Sequence, residues 1–225
     1  MRVLSFYNFI LRQLVILFAK APVAGRVKTR FGAAIGMGWA ARFHSAFAAD
    51  TAARAAERYR IELHTDVAGN AWPEINAERR LQCDGPLGQR MYTALDDALR
   101  RGWEQVAILG SDAPDLPAGH LNAIFASGAD VALGPAEDGG YWGICCRRVA
   151  AGMFDGVEWS TPRALAGTVA ACERAGLSVS CGPVWPDVDE LADLRRLASS
   201  DSLDPRGATA KLLAEYWLRG SEGAW

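Results

Sequence analysis

Six apolar side chains stand in an unbroken row at Leu14-Val15-Ile16-Leu17-Phe18-Ala19, and nothing else in the chain constrains its fold as tightly. A strand with one wet face alternates polar and apolar residues, so a run without alternation is expected to be covered on both faces. The loop that follows at once, AKAPVAGRVKTR, holds Pro22 and Gly25, which argue against a helix there. Gln105-Val106-Ala107-Ile108-Leu109-Gly110 reads as a second buried strand. Asp130-Val131-Ala132-Leu133-Gly134 and Tyr141-Trp142-Gly143-Ile144-Cys145-Cys146 read as two more. Ile61 to Thr65 alternates, and Leu177 to Cys181 closes the strand set.

Between these strands the period changes. An alanine-rich stretch from about Gly36 to Arg60 is helical, and Gly85 to Arg101 spaces Leu87, Met91, Leu95 and Leu99 four apart on one helix face. Further helices are expected near Gly119 to Ala126, Pro162 to Ala175 and Asp204 to Leu218, with another opening at Asp187-Val188-Asp189. Strands alternating with helices predict a three-layer α/β/α domain around a mostly parallel sheet. Residues 13–225 read as one such domain, and 1–12 as an extension. Residues 2–11 imitate a secretory signal, but Arg12 and Gln13 break the apolar run, and cleavage after Ala21 would discard the first core strand. No apolar run approaches the roughly 20 residues that span a bilayer.

With 24 basic against 26 acidic residues and no dense Lys/Arg tract, nothing points to a nucleic-acid partner. Five cysteines without CxxC spacing fit a reducing, cytoplasmic setting better than a disulfide framework or a zinc cluster.

In parallel sheets ligands gather beyond the carboxyl ends of strands. After the first strand come Lys20, Ala21, Pro22, Gly25, Arg26, Lys28 and Arg30; a glycine-bearing loop with four cations suits a di- or triphosphate, and it is not a P-loop. The plain alternative is a solvated basic loop. After the 105–110 strand come Ser111, Asp112 and Asp115. Asp112, nearer the strand end, is the better candidate ligand for Mg²⁺ or Mn²⁺, while Asp115 reads as a cap for the next helix. After 130–134 come Glu137, Asp138, Gly139, Gly140 and Tyr141, which are either a turn or a base beside a close-approach glycine pair. Asp189 offers a second carboxylate for the same cation. In Trp159-Ser160-Thr161-Pro162, Thr161 reads as a helix cap, and Trp159 offers a face for a base or sugar. Three histidines lack ligand spacing, and GxSxG and HExxH are absent, so hydrolase readings lack support.

The ordered segments LVILFAKAPVAGRVKTRF, LGQRMYTAL, ILGSDAPDLP, VALGPAEDGGYWGI, VEWST and DVDELADL resemble a family of small GT-A-like glycosyltransferases associated with arsenosugar biosynthesis. That family is in turn similar to 2-phospholactate and molybdenum-cofactor guanylyltransferases. The resemblance implies the GT-A fold, a nucleotide-sugar donor and a small-molecule acceptor. By position it implies Lys20, Arg26, Lys28 and Arg30 on nucleotide phosphates, metal on Asp112 and Asp189, and Asp138 facing the substrate. Two departures stand out: Gly85-Pro86-Leu87-Gly88-Gln89-Arg90-Met91 lacks two carboxylates of the usual segment, though it keeps Arg90 as a phosphate contact, and Tyr141-Trp142-Gly143 replaces a more usual tyrosine-leucine pattern. Nucleotidyl transfer from an NTP and non-catalytic nucleotide binding are the alternatives, and assembly as a homodimer is left open.

Overall fold

The computed structural model describes residues 12–222, so all of the expected N-terminal extension except Arg12 lies outside the described residues. Arg12 itself is joined to the domain: its backbone N–H donates to the Glu104 carboxylate (2.8 Å), and its guanidinium lies over the Trp103 ring.

The strands are β1 (Gln13–Ala19), β2 (Arg60–Thr65), β3 (Glu78–Leu81), β4 (Gln105–Leu109), β5 (Val131–Pro135), β6 (Tyr141–Cys146) and β7 (Val179–Cys181). They form one sheet in the order β3-β2-β1-β4-β6-β5-β7, in which β6 runs antiparallel to β4 and β5 and the other pairings are parallel. The unbroken apolar run of β1 is used on both faces, as its lack of alternation requires. Val15, Leu17 and Ala19 pack with Ala48, Ala52 and Ala55 of α2 (Met37–Ala56) and with Leu121, Ile124 and Phe125 of α4 (Ala118–Ala126). Leu14 and Ile16 pack on the other face with Met91, Ala94, Leu95 and Ala98 of α3 (Leu87–Arg100) and with Ala171 and Cys172 of α5 (Ala164–Arg174). Each fully buried aliphatic side chain here contributes roughly 1.5–3 kcal/mol. Cys145 and Cys146, consecutive on β6, point into these two different cores and stay free; burial pushes the Cys145 thiol up to about 12. The fold is thus the expected three-layer α/β arrangement. No described helix is long and apolar enough to cross a membrane.

Several elements differ from the sequence reading. The loop after β1 contains a short helix, α1 (Thr29–Ile35), and Glu78–Leu81 joins the sheet edge as a strand without apolar alternation. An edge strand needs hydrogen bonds on one side only and little burial, so its residues carry no hydrophobic signal. Asp115 does not cap α4. It is buried, accepting from Trp185 Nε1 (3.1 Å) and Ser200 Oγ (2.7 Å), which ties the β4 end to the later chain. Thr161 accepts from the Arg163 N–H, but α5 begins only at Ala164, two residues beyond the expected Pro162. The last helix, α7 (Ala208–Glu222), starts later than expected because its cap comes from elsewhere. Asp50 of α2 accepts from the Ala208 and Thr209 N–H groups at 2.8 Å each. With α1 and α6 (Leu191–Ala198), α7 closes a third cluster around Phe31, Phe43 and Phe47.

Candidate active site

Strand register sets the site. Ala19 is level with Thr65 and Leu17 with Leu109, so Lys20, Asp66 and Gly110-Ser111-Asp112 leave the sheet along one rim. β6 is antiparallel, with Gly143 opposite Leu109, so its first residues, Tyr141 and the preceding Asp138 and Gly140, reach the same rim. Together they bound an open cleft of about 750 Å³. Lys20, Arg26, Lys28 and Arg30 line one part, Asp112, Asp138, Asp187 and Asp189 another, and Arg90, Tyr141, Trp159, Ser160 and Thr161 a third.

At the centre is Lys28. Its Nζ donates to Asp189 Oδ1 (2.8 Å) and the Val188 carbonyl (2.5 Å) and lies 3.0 Å from Asp112 Oδ1, with the side chain 5% exposed. Arg30 takes the other Asp189 oxygen (3.2 Å). Burial alone would lower the Lys28 pKa, but Asp112 and Asp189 outweigh it and hold it above its ordinary value. Burial would raise Asp112, and Lys28 instead holds it below the usual carboxylate range. Asp187 goes the other way: burial first, then the charges of Asp189 and Asp138, push it up to about 6. The acidic side of the cleft therefore holds more negative charge than Lys28 offsets.

The backbone explains the placement. Lys28 adopts φ 47°, ψ 46° at the start of α1, a left-handed conformation that costs a non-glycine residue roughly 1–2 kcal/mol. Ser160, in the cleft wall, has φ 60°. Strain at two cleft residues is the pattern of a site held for use rather than for stability.

Some candidates from the sequence fall outside the cleft lining. Glu137 is exposed and turns toward Arg196 of α6 (3.6 Å), while its neighbour Asp138 faces the cleft, one oxygen accepting from the Gly140 N–H (2.8 Å). Gly139 has φ 86°, and a Cβ there would come within 2.2 Å of the Pro162 carbonyl oxygen, so its bare Cα serves packing against the 161–164 segment. The Ala21 N–H is taken by Asp66 (2.7 Å), Pro22 has none to give, and Gly25 supplies a turn at φ 80°. Tyr141 shows its ring to the cleft and packs edge-on to Trp159, with its hydroxyl buried. Trp142 lies across Gly134 and donates to the Pro183 carbonyl (3.2 Å).

Other residues emerge only here. Asp66 braces the loop after β1 through Ala21 and lies 3.6 Å from Arg26. It sits directly after β2, so the strand-end rule could have found it. His44 of α2 lines the cleft wall; its Nε2 must carry the proton it donates to the Lys20 carbonyl (2.9 Å), since a carbonyl only accepts. Burial lowers its pKa and keeps it neutral. Gln82 is locked between the His64 carbonyl and Arg90, each at 2.9 Å, and so aims the Arg90 guanidinium. Nothing local in an alanine-rich helix or a short edge strand marks either residue.

Asp112 and Asp189 supply the carboxylate oxygens that Mg²⁺ or Mn²⁺ prefers, and the Lys28 ammonium between them marks a point where both already hold positive charge. Among the described residues, no three His, Cys, Asp or Glu side chains form a complete cage. Two carboxylates with the remaining positions left to phosphate and water is the usual habit of Mg²⁺, so the residues fit.

A mostly parallel sheet of this order is an α/β fold that matches a nucleotide-diphospho-sugar transferase structure. The chain belongs to the family described as "Uncharacterized protein conserved in bacteria (DUF2064)", whose profile matches residues 43–161. It is similar to a protein from Desulfovibrio desulfuricans G20 provisionally described as a nucleotide-diphospho-sugar transferase. The two share 31% identity at a TM-score of 0.81, covering 95% of this chain and 98% of that one. At fold level it also resembles CMP:2-keto-3-deoxy-manno-octonic acid synthetase complexed with CTP (11% identity, TM-score 0.55, 82% of this chain and 96% of that one). A third similar structure is the inositol-1-phosphate CTP transferase of T. maritima (10%, TM-score 0.50, 92% and 96%). None of the curated proteins matches the chain.

Proposed function

We propose that this chain is a transferase that takes a nucleoside diphosphate sugar and passes the sugar to a small-molecule acceptor. One observation carries the reading: four cations of a single loop and four carboxylates from three other segments converge on one cleft at the strand ends. Lys20, Arg26, Lys28 and Arg30 hold the diphosphate and stabilise the charge it gains on leaving. Mg²⁺ or Mn²⁺ on Asp112 and Asp189 would, when bound, offset that same charge. Asp138 has one oxygen fixed by the Gly140 N–H, which leaves the other to orient or deprotonate an acceptor hydroxyl. Trp159 offers an aromatic face to a base or sugar ring, and Arg90, aimed by Gln82, adds a further cation to the cleft. The acceptor expectation comes from the resemblance to the arsenosugar-associated glycosyltransferases.

The same loop carries enough charge for a triphosphate, which supports nucleotidyl transfer as the second reading. A panel of nucleotide sugars and NTPs, each with Mn²⁺, separates the two by product: release of nucleoside diphosphate marks glycosyl transfer, and pyrophosphate marks nucleotidyl transfer. Asp112→Ala should abolish either. If no compound in the panel is turned over or raises the melting temperature, the reading fails.

A further inference from the structure

Lys28 stands where a metal ion would be wanted. Its ammonium is 2.8 Å from Asp189 Oδ1 and 3.0 Å from Asp112 Oδ1, the second oxygen of Asp189 is held by Arg30, and Asp112 Oδ1 also accepts from Ser111 Oγ (3.3 Å). Two protein cations thus neutralise the two carboxylates. The left-handed backbone of Lys28 shows that the chain tolerates an unfavourable conformation to keep the ammonium there.

We infer that Lys28 competes with the divalent cation for Asp112 and Asp189, so that the protein takes up metal only together with a diphosphate group that draws the ammonium away. This rests on the reading of the cleft as a metal–nucleotide site. A divalent ion entering alone meets two ligand carboxylates that are already paired, with an ammonium about 3 Å from an oxygen of each, and the like charges repel in a partly buried setting. A diphosphate entering alone can recruit Lys28 only by baring Asp112, and leaving Asp189 to Arg30 alone, beside its own negative charge. When both arrive, the partners exchange: the ammonium moves to phosphate oxygens, the carboxylates take the metal, and no charge is stranded. Linkage makes the coupling reciprocal, so metal must strengthen diphosphate binding by the factor by which diphosphate strengthens metal binding.

Equilibrium dialysis of the full chain against Mn²⁺ tests this, with methylenediphosphonate, a pyrophosphate that cannot hydrolyse, present in both compartments or in neither. The excess Mn²⁺ on the protein side is measured. Wild type should gain affinity on the order of tenfold or more when the diphosphonate is present. Lys28→Met and Lys28→Gln, checked for folding by thermal melts, should bind Mn²⁺ alone on the order of tenfold more tightly than wild type and gain less from the diphosphonate. Equal Mn²⁺ affinity in wild type with and without diphosphonate would overturn the competition; if Asp112→Asn then removes that Mn²⁺, the metal reading still stands. Absence of Mn²⁺ uptake under every condition would overturn both.

Discussion

Replacing Glu62 with glutamine should destabilise the protein by an amount that depends on pH in a calculable way. Glu62 lies on β2 with its side chain 2% exposed. Its Oε1 accepts from Arg101 Nη1 at 2.6 Å and its Oε2 from Arg101 Nη2 at 2.9 Å, with Arg80 Nε and His64 Nε2 within 3.2 Å. Burial on its own would raise its pKa; the bonds from His64 and Arg101 and the charges of Arg101 and Arg80 outweigh it and hold the carboxyl down at about 2, against an ordinary 4.5. A depressed carboxyl contributes its full stability above the unfolded value and loses it as pH falls toward the folded one. The gap of about 2.5 pH units is a ceiling of about 3.4 kcal/mol at 1.36 kcal/mol each. At pH 7, Glu62→Gln strands two guanidinium groups and should cost about 3 kcal/mol. That is the low end for breaking a buried pair, because Asp97 and Glu78 remain as partners. Urea unfolding of wild type and variant at pH 7 and pH 3 checks this. At pH 3 the wild-type advantage should have shrunk by about 2 kcal/mol, which is about 1.5 pH units at 1.36 kcal/mol each. An advantage unchanged between the two pH values would refute the argument, since it would mean that the folded carboxyl is not held ionised.

Gly139→Ala should cost about 2 kcal/mol or more, seen as a fall of roughly 4–8 °C in melting temperature. The new methyl would have to displace the Pro162 backbone at an unfavourable φ. Asp138→Asn should lower kcat by about a hundredfold or more with KM for the donor little changed, whereas Glu137→Gln should leave both near wild type, because Glu137 faces Arg196 instead of the cleft. Chelation with EDTA should abolish turnover, with recovery on adding Mn²⁺ or Mg²⁺; activity that survives chelation would remove the metal from the proposed reaction.

Which parts of this protein were legible in its sequence follows the range of the forces involved. The lack of alternation in Leu14–Ala19, the four-residue stripe of α3 and the glycines and prolines after each strand are encoded within about ten residues, and they suffice for an α/β sheet with its charged residues at the strand ends. β3 and α1 escaped because an exposed edge strand and a single short helix bury too little to imprint a period. Glu137 and Asp138 are indistinguishable in one dimension, and the turn at Gly139 sends them to different surroundings.

The site itself was decided by tertiary structure. Lys28 and Asp189 are 161 positions apart, and only strand order brings them to 2.8 Å. Likewise Asp50 caps α7 and Asp66 holds Ala21 through contacts that no local pattern announces. Sequence determined by itself which residue types lie at the rim, because burial acts on each strand where it stands. Which of them touch, and with what charge, was left to the folded sheet, because electrostatic pairing depends on distance in space and not on spacing along the chain.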